Sequence, residues 1–205
     1  MKQVLTIQLG NVKRAASRVA LGGAILLGLL SAPSLGQAAK MEPNLTKLLG
    51  QAAAYQAKGQ VNQAEKVLKQ ALGQAQQAGD KRSEAMVKNN LASLWILASK
   101  KYRSAGEEAD VYLLESLKVA EELKDKKLEA SIRVNLGNLL VGWGNYEDAV
   151  WNYNEAVKHA DAAGDNERGA QCRIGMATAA AFHGSMELAS GYAAKADENI
   201  TALKD

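Results

Sequence analysis

The chain has 205 residues, and its abundant Ala, Leu, Lys, Glu and Gln, with only two prolines and one phenylalanine, form the palette of helices. A formal charge of +3 invites a nucleic-acid reading, but the first 38 residues hold Lys2, Lys13, Arg14 and Arg18 and no acid, so the remainder carries 25 − 4 = 21 basic against 22 acidic side chains, a net charge of −1. The basic character belongs to the leader, and the body of the chain lacks the overall positive charge with which phosphate is bound, which sets nucleic acid aside as a partner.

The leader, 1–38, has the three parts of a secretory signal peptide: a positive stretch to Arg18, an apolar core from Val19 to Leu30, and an exit of small residues in which Gly36 and Ala38 take the −3 and −1 positions of a cleavage after Ala38. The alternative is an uncleaved anchor, because no charge interrupts Val19 to Ala39. Four glycines, Pro33 and the short apolar core favour cleavage, so membrane attachment is expected only if the segment is retained. The export signal points to a periplasmic or secreted protein, with a thylakoid-lumen destination as the alternative left open.

From 39 to 205 the chain repeats itself. Three turn signatures stand out, Ala78-Gly-Asp-Lys81, Lys124-Asp-Lys-Lys127 and Ala163-Gly-Asp-Asn166. A small residue follows each aspartate at a fixed distance, at Ala92, Gly137 and Ala177, and one period earlier stands Ala52; the intervals 52 to 92, 92 to 137 and 137 to 177 are 40, 45 and 40 residues. The chain thus reads as four helix-turn-helix copies, at about 44–80, 81–125, 126–165 and 166–204. In each copy the first helix ends near Gly59, Ser99, Gly144 or Gly184, and the second carries small residues at Ala64, Ala109, Ala149 and Ala189 and again at Ala71, Ser116, Ala156 and Ala196. Copy two needs five extra residues, somewhere in Lys100 to Glu108, to keep this register. Small residues on a helix face admit the bulk of a partner helix, which Tyr146 and Tyr153 would supply in copy three. The apolar spacing of each helix, as in Val61, Ala64, Leu68, Ala71 and Leu72, is amphipathic, and one pair cannot bury its apolar face without stacked neighbours. The expected fold is an all-α solenoid.

Copy three, with Leu136-Gly137-Asn138, then Gly144-Asn145-Tyr146-Glu147-Asp148-Ala149, Tyr153 and Ala156, resembles a tetratricopeptide repeat at its signature positions. The resemblance extends in register from about Asn44 to Lys204, and a period near 40 in place of the usual 34 is similar to the long-helix subclass that includes kinesin light chains. Copy one departs from the pattern at Gln51, copy two at its insertion, and copy four at Ala180 and Ala193. The resemblance implies a concave surface lined by the first helix of each pair that binds a protein or peptide partner. It places Asn89, Asn90, Ser93, Ile96 and Leu97 of copy two, Val134, Asn135, Asn138 and Val141 of copy three, and Ile174, Thr178, Ala181 and Phe182 of copy four along that groove.

Asn90 and Asn135 share a slot in successive copies, with Asn138 a turn further on, so their amides would either hold the main chain of an extended peptide or bridge neighbouring helices. Lys88, Arg133 and Arg173 also recur one per copy. They would form a stripe for an acidic partner or pair with nearby acids such as Glu84 and Glu129. The carboxylate clamp of the family's chaperone-binding members is missing, since Leu49 and Ala53 stand at the slots of its first Lys and Asn.

Catalytic chemistry has little to work with. His159 and His183 are the only histidines and have no metal-ligand spacing; His183, beside Gly184, suits a helix C-terminus. Cys172 reads as a buried small hydrophobe, and the run Lys100-Lys101-Tyr102-Arg103 as a solvated loop. No phosphate loop or nucleophile elbow occurs, and no cofactor or metal is expected. The sequence therefore points to an exported scaffold or adaptor rather than an enzyme, with a self-associating structural subunit as the alternative.

Overall fold

The computed structural model describes residues 43–99 and 103–203; the signal segment, its cleavage position after Ala38 and Lys100-Lys101-Tyr102 of the basic run lie outside them. Within that range the chain is all-helical, with eight consecutive helices and no strand. They are α1 (Pro43–Ala57), α2 (Val61–Gln77), α3 (Lys81–Ser99), α4 (Arg103–Glu122), α5 (Lys126–Trp143), α6 (Tyr146–Ala162), α7 (Asn166–Phe182) and α8 (Met186–Ala202). Residues 43–135 form one compact unit and 136–203 another, the boundary falling inside α5.

Six turns between successive helices share one construction. A residue in the left-handed region ends each helix: Gly59, Gly79, Lys124, Gly144, Gly164 and Gly184, with φ between 53° at Lys124 and 89° at Gly184. The next residue's N–H then reaches back five positions, as in Gln60 to Tyr55 O, Asp80 to Ala75 O, Asp125 to Ala120 O and Ser185 to Ala180 O. This closure satisfies carbonyls that a helix end leaves bare, and it needs a residue that tolerates positive φ, which is why glycine fills five of the six positions.

Between copies the turn gains a second lock. The carboxylates of Asp80, Asp125 and Asp165 accept the N–H of Ser83, Leu128 and Arg168, each at 3.0 Å, and so cap the helix that follows. The left-handed residue and the aspartate after it therefore end one helix and start the next.

The five extra residues of copy two enter the helices. Relative to the shared small positions, α3 runs to Ser99 where α1 stops two residues short of Gly59, and α4 starts six residues before Ala109 where α2 starts three before Ala64. Two residues at one end and three at the other account for all five.

Every shared small position is buried. Ala52, Ala92, Ala64, Ala109, Ala149, Ala71, Ser116 and Ala156 are fully enclosed at 0 % exposure. Around them in the first unit lie Leu49, Leu68, Leu91, Leu113 and Ile132. Ser116 adds a polar tie, its hydroxyl shared between Tyr112 O of its own helix at 2.6 Å and Ala85 O across the seam at 3.0 Å.

In the second unit the seam carries an aromatic wedge. Tyr153 of α6 is 1 % exposed and lies between Gly137 of α5 and Gly175 of α7; a Cβ at Gly137 would stand 2.6 Å from its ring and one at Gly175 2.5 Å. Its hydroxyl donates to Asn138 Oδ1 at 2.7 Å, which fixes the ring from the far end. Of the two tyrosines offered by the sequence, Tyr153 supplies the interhelical bulk; Gly175 is a second recipient that the repeat register does not reveal.

The wedge separates two kinds of helical glycine. Gly137→Ala and Gly175→Ala are each expected to destabilise by about 1–3 kcal/mol through overpacking. Gly191→Ala on α8, where a new Cβ meets nothing within 4 Å, is expected to stabilise by about 0.5–1 kcal/mol through helix propensity alone. Urea midpoints of the three variants check the opposite signs.

Candidate functional site

Of the amides proposed for the groove of copies two and three, all but Asn138 lie inside the first unit. Asn89 and Asn90 on α3 are each 1 % exposed, Ser93 5 %, and Asn135 on α5 7 %. Asn135 donates to Asn89 Oδ1 at 2.9 Å, and Asn89 donates onward to Ser131 Oγ at 3.3 Å, so these amides bridge α3 to α5. A ladder for an incoming peptide needs amide edges open to solvent, and burial closes them here. Leu97 and Ile96, further along α3, are half-buried.

The recurring cations are paired with acids. Lys88 bonds Glu84 at 2.9 Å and Glu115 of α4 at 2.8 Å. Arg133 bonds Glu129 at 2.9 Å and Glu121 at 3.0 Å, and Arg173 bonds Asp161 at 2.6 Å while donating to Asn199 at 2.8 Å. Arg133 and Arg173 thus reach back to an acid at the same offset on the preceding helix. At the offset from Lys88 stands Gln76, which carries no charge, and Lys88 pairs with Glu115 of α4 instead. The three cations hold helices together, which removes the charge that a stripe for acidic partners would need.

These pairs leave a mark on titration. The hydrogen bond from Lys88 holds the Glu84 carboxyl below its ordinary 4.5. At Glu129 burial pushes upward, yet the bonds from Lys126 and Arg133 outweigh it and the net direction is also down. Beside them, Trp95 Nε1–H donates to Glu65 at 3.2 Å and its ring lies 5.0 Å from that of Tyr112, over which Lys88 Nζ stands at 5.7 Å.

The second unit presents the more open surface. Asn138 is half-buried and occupied by the Tyr153 hydroxyl; Val141 is half-buried, and Thr178 turns its hydroxyl to Ile174 O at 2.9 Å. Phe182, at the end of α7, is 64 % exposed. It stacks on Tyr146 at the start of α6, with centroids 5.9 Å apart, and the His183 ring meets Tyr146 edge-on at 6.3 Å. His183 itself follows α7 as its cap, through its backbone N–H to Ala179 O. These contacts join the turns at Gly144 and Gly184 into one edge, where Trp143 at 40 % and Met186 at 42 % are also exposed. Of the groove residues, Val141 and Phe182 adjoin this edge. Tyr146, Trp143 and Met186 were not among them, because periodicity assigns them to turn ends rather than to a face.

Nucleophilic chemistry is not offered by the single thiol. Cys172 is wholly enclosed, and burial pushes its thiol up to about 12. Burial likewise holds the Tyr153 phenol far above its ordinary range. Among the described residues no group of His, Cys, Asp and Glu has the arrangement of a metal site, and no helix is long and apolar enough to cross a membrane.

Asn135→Ala strips the buried Asn89 carbonyl of its donor, and a loss of about 1–3 kcal/mol in unfolding free energy is expected by urea titration. Acid should act through Glu84 and Glu129. Their folded pKa values lie below the unfolded ones, so the stability they contribute is complete above the unfolded value and is lost as pH falls through the folded one. The urea midpoint is therefore expected to fall below about pH 5, and Glu129→Gln to flatten that fall.

No protein-family model matches the chain, and no curated protein is significantly similar to it. Among solved structures it is similar in fold to BtubC (BKLC) from P. vanneervenii, with a TM-score of 0.63 and 22 % identity over 80 % of this chain and 66 % of that one. The chain thus matches just under two thirds of the BtubC chain, and the similarity supports a helical, repeat-like fold.

Proposed function

We propose that the chain is a tetratricopeptide-like α-solenoid that serves as an exported protein-interaction scaffold. The observation that carries this reading is the aromatic edge of residues 136–203, where Phe182 stands 64 % exposed against Tyr146, with Trp143 and Met186 exposed at the turns that the pair joins. Exposed aromatics gathered at one place are the usual anchors of protein recognition, whereas the titratable groups pushed furthest from their ordinary range, Cys172 and Tyr153, are enclosed in helix packing. The fold similarity to BtubC supports the repeat, and the leader supports export. The binding surface is accordingly narrowed from the amides of copies two and three to the Val141 and Phe182 end of copies three and four. Self-association through the same edge is the second reading, because an exposed apolar cluster serves a copy of the chain as readily as another partner.

A photo-crosslinking residue at position 182 of the full chain, expressed in its native host, tests both. A discrete adduct at 182 that is missing when the probe sits at Lys195, exposed midway along α8, is the expected outcome. An adduct of twice the chain mass would establish self-association, and absence of any adduct at 182 would remove the scaffold reading.

A further inference from the structure

The edge that carries Phe182 also has a definite electrical character. Three exposed carboxylates stand at the helix starts that follow the two turns of the edge: Glu147 and Asp148 in the first turn of α6 and Glu187 in the first turn of α8. None of the three forms an ion pair with a described residue. No Lys or Arg occurs from 136 to 157, nor from 174 to 194, and these two stretches contain both turns of the edge and the helix ends that flank them. Of the cations among this unit's described residues, Lys158, Arg168 and Arg173 lie toward the opposite helix ends, paired with Glu155, Asp165 and Asp161, and Lys195 lies midway along α8. The apolar cluster is therefore flanked by three carboxylates with no Lys or Arg in the adjoining stretches of its own unit.

The geometry points to a partner segment that joins an apolar anchor to flanking Lys or Arg side chains, docked on the edge formed by Trp143, Tyr146, Phe182 and Met186. This deepens the scaffold reading and rests on it. Stacked Tyr146 and Phe182 offer ring faces to an apolar side chain or to a cation lying over them, and Glu147, Asp148 and Glu187 receive the flanking positive charge. An acidic segment would meet three like charges and find no cation to answer it, so the edge discriminates by repulsion as well as attraction. An anionic membrane surface is disfavoured on the same ground.

Fluorescence anisotropy with the full chain and two synthetic amphipathic peptides, one of Leu and Lys and one of Leu and Glu, tests the inference. The wild-type chain is expected to bind the Leu/Lys peptide about tenfold more tightly, with the preference shrinking as salt rises. Neutralising the rim with Glu147→Gln, Asp148→Asn and Glu187→Gln should erase the preference. Phe182→Ala should weaken the Leu/Lys peptide by roughly tenfold, the folded state of both variants being verified by circular dichroism. Equal affinity for the two peptides, or a Lys preference that survives neutralisation of the rim, would overturn the inference while a crosslinked partner at position 182 left the scaffold reading standing. A dimer that excludes both peptides and dissociates on Phe182→Ala would also overturn it, by placing a second copy on the edge.

Discussion

Two helices can approach closely only where one of them gives up side-chain volume, and the seam of small residues that meets this condition governs the rest of the structure. The seam runs through Ala64, Ala71 and their counterparts on the second helices and through Ala52, Ala92 and Gly137 on the first, all of them buried. Alanine contributes little apolar area itself, so its value lies in the larger neighbours it admits, such as Leu68, Leu113 and Ile132. Copy three carries the logic furthest. A whole tyrosine ring enters between α5 and α7, and only glycine on both sides leaves room for it. The helical cost of two interior glycines, about 1 kcal/mol each, is offset by burying that ring with its hydroxyl satisfied at Asn138.

The turns keep this seam in register. A left-handed residue followed by a five-residue back-bond fixes where a helix stops, and an aspartate cap fixes where the next copy starts, so the direction change has almost no freedom. Lys124 accepts the strained conformation that glycine takes elsewhere because the back-bond from Asp125 to Ala120 and the cap from Asp125 to Leu128 still form around it. The same rigidity explains the insertion in copy two. Residues added to α3 and α4 extend hydrogen-bonded helix, whereas added loop would have to find new partners for its polar backbone.

Helix order, the turn positions and the burial of the small positions were legible in the sequence, because each is written in spacing along one chain. The acids Glu84 and Glu129 were legible for the same reason, standing one helical turn before Lys88 and Arg133. What spacing does not encode is depth. Asn89, Asn90 and Asn135 fall on the face that the family resemblance implies, yet how far α5 covers that face depends on side chains of another helix, and it covers it fully enough for Asn135 to bond Asn89. Glu121 and Asp161, which hold Arg133 and Arg173 from neighbouring helices, escaped for the same reason, as did Gly175 opposite Tyr153. The edge at Phe182 was half visible: the residue itself stood among the groove positions, but its meeting with Tyr146 joins two turns from different copies.

Local helix physics explains part of that edge and leaves a remainder. Asn145 and Ser185 make no side-chain cap to α6 and α8, so the acids Glu147, Asp148 and Glu187 compensate exposed N–H groups and the positive end of each helix dipole. The α7 N-terminus in the same unit also carries an acid, Glu167, but it has a capping Asp165 and a neighbouring Arg168 paired with that aspartate. The turns of the edge receive acids and no such cation. Dipole compensation requires negative charge at a helix start, but it does not require that Lys and Arg be missing from both flanking stretches, nor that Phe182 project into solvent beside them. Stability would favour burying the ring or surrounding it with mixed charge. The packing of its own helices therefore accounts for the acids of this edge but not for the exposed aromatic cluster held beside them.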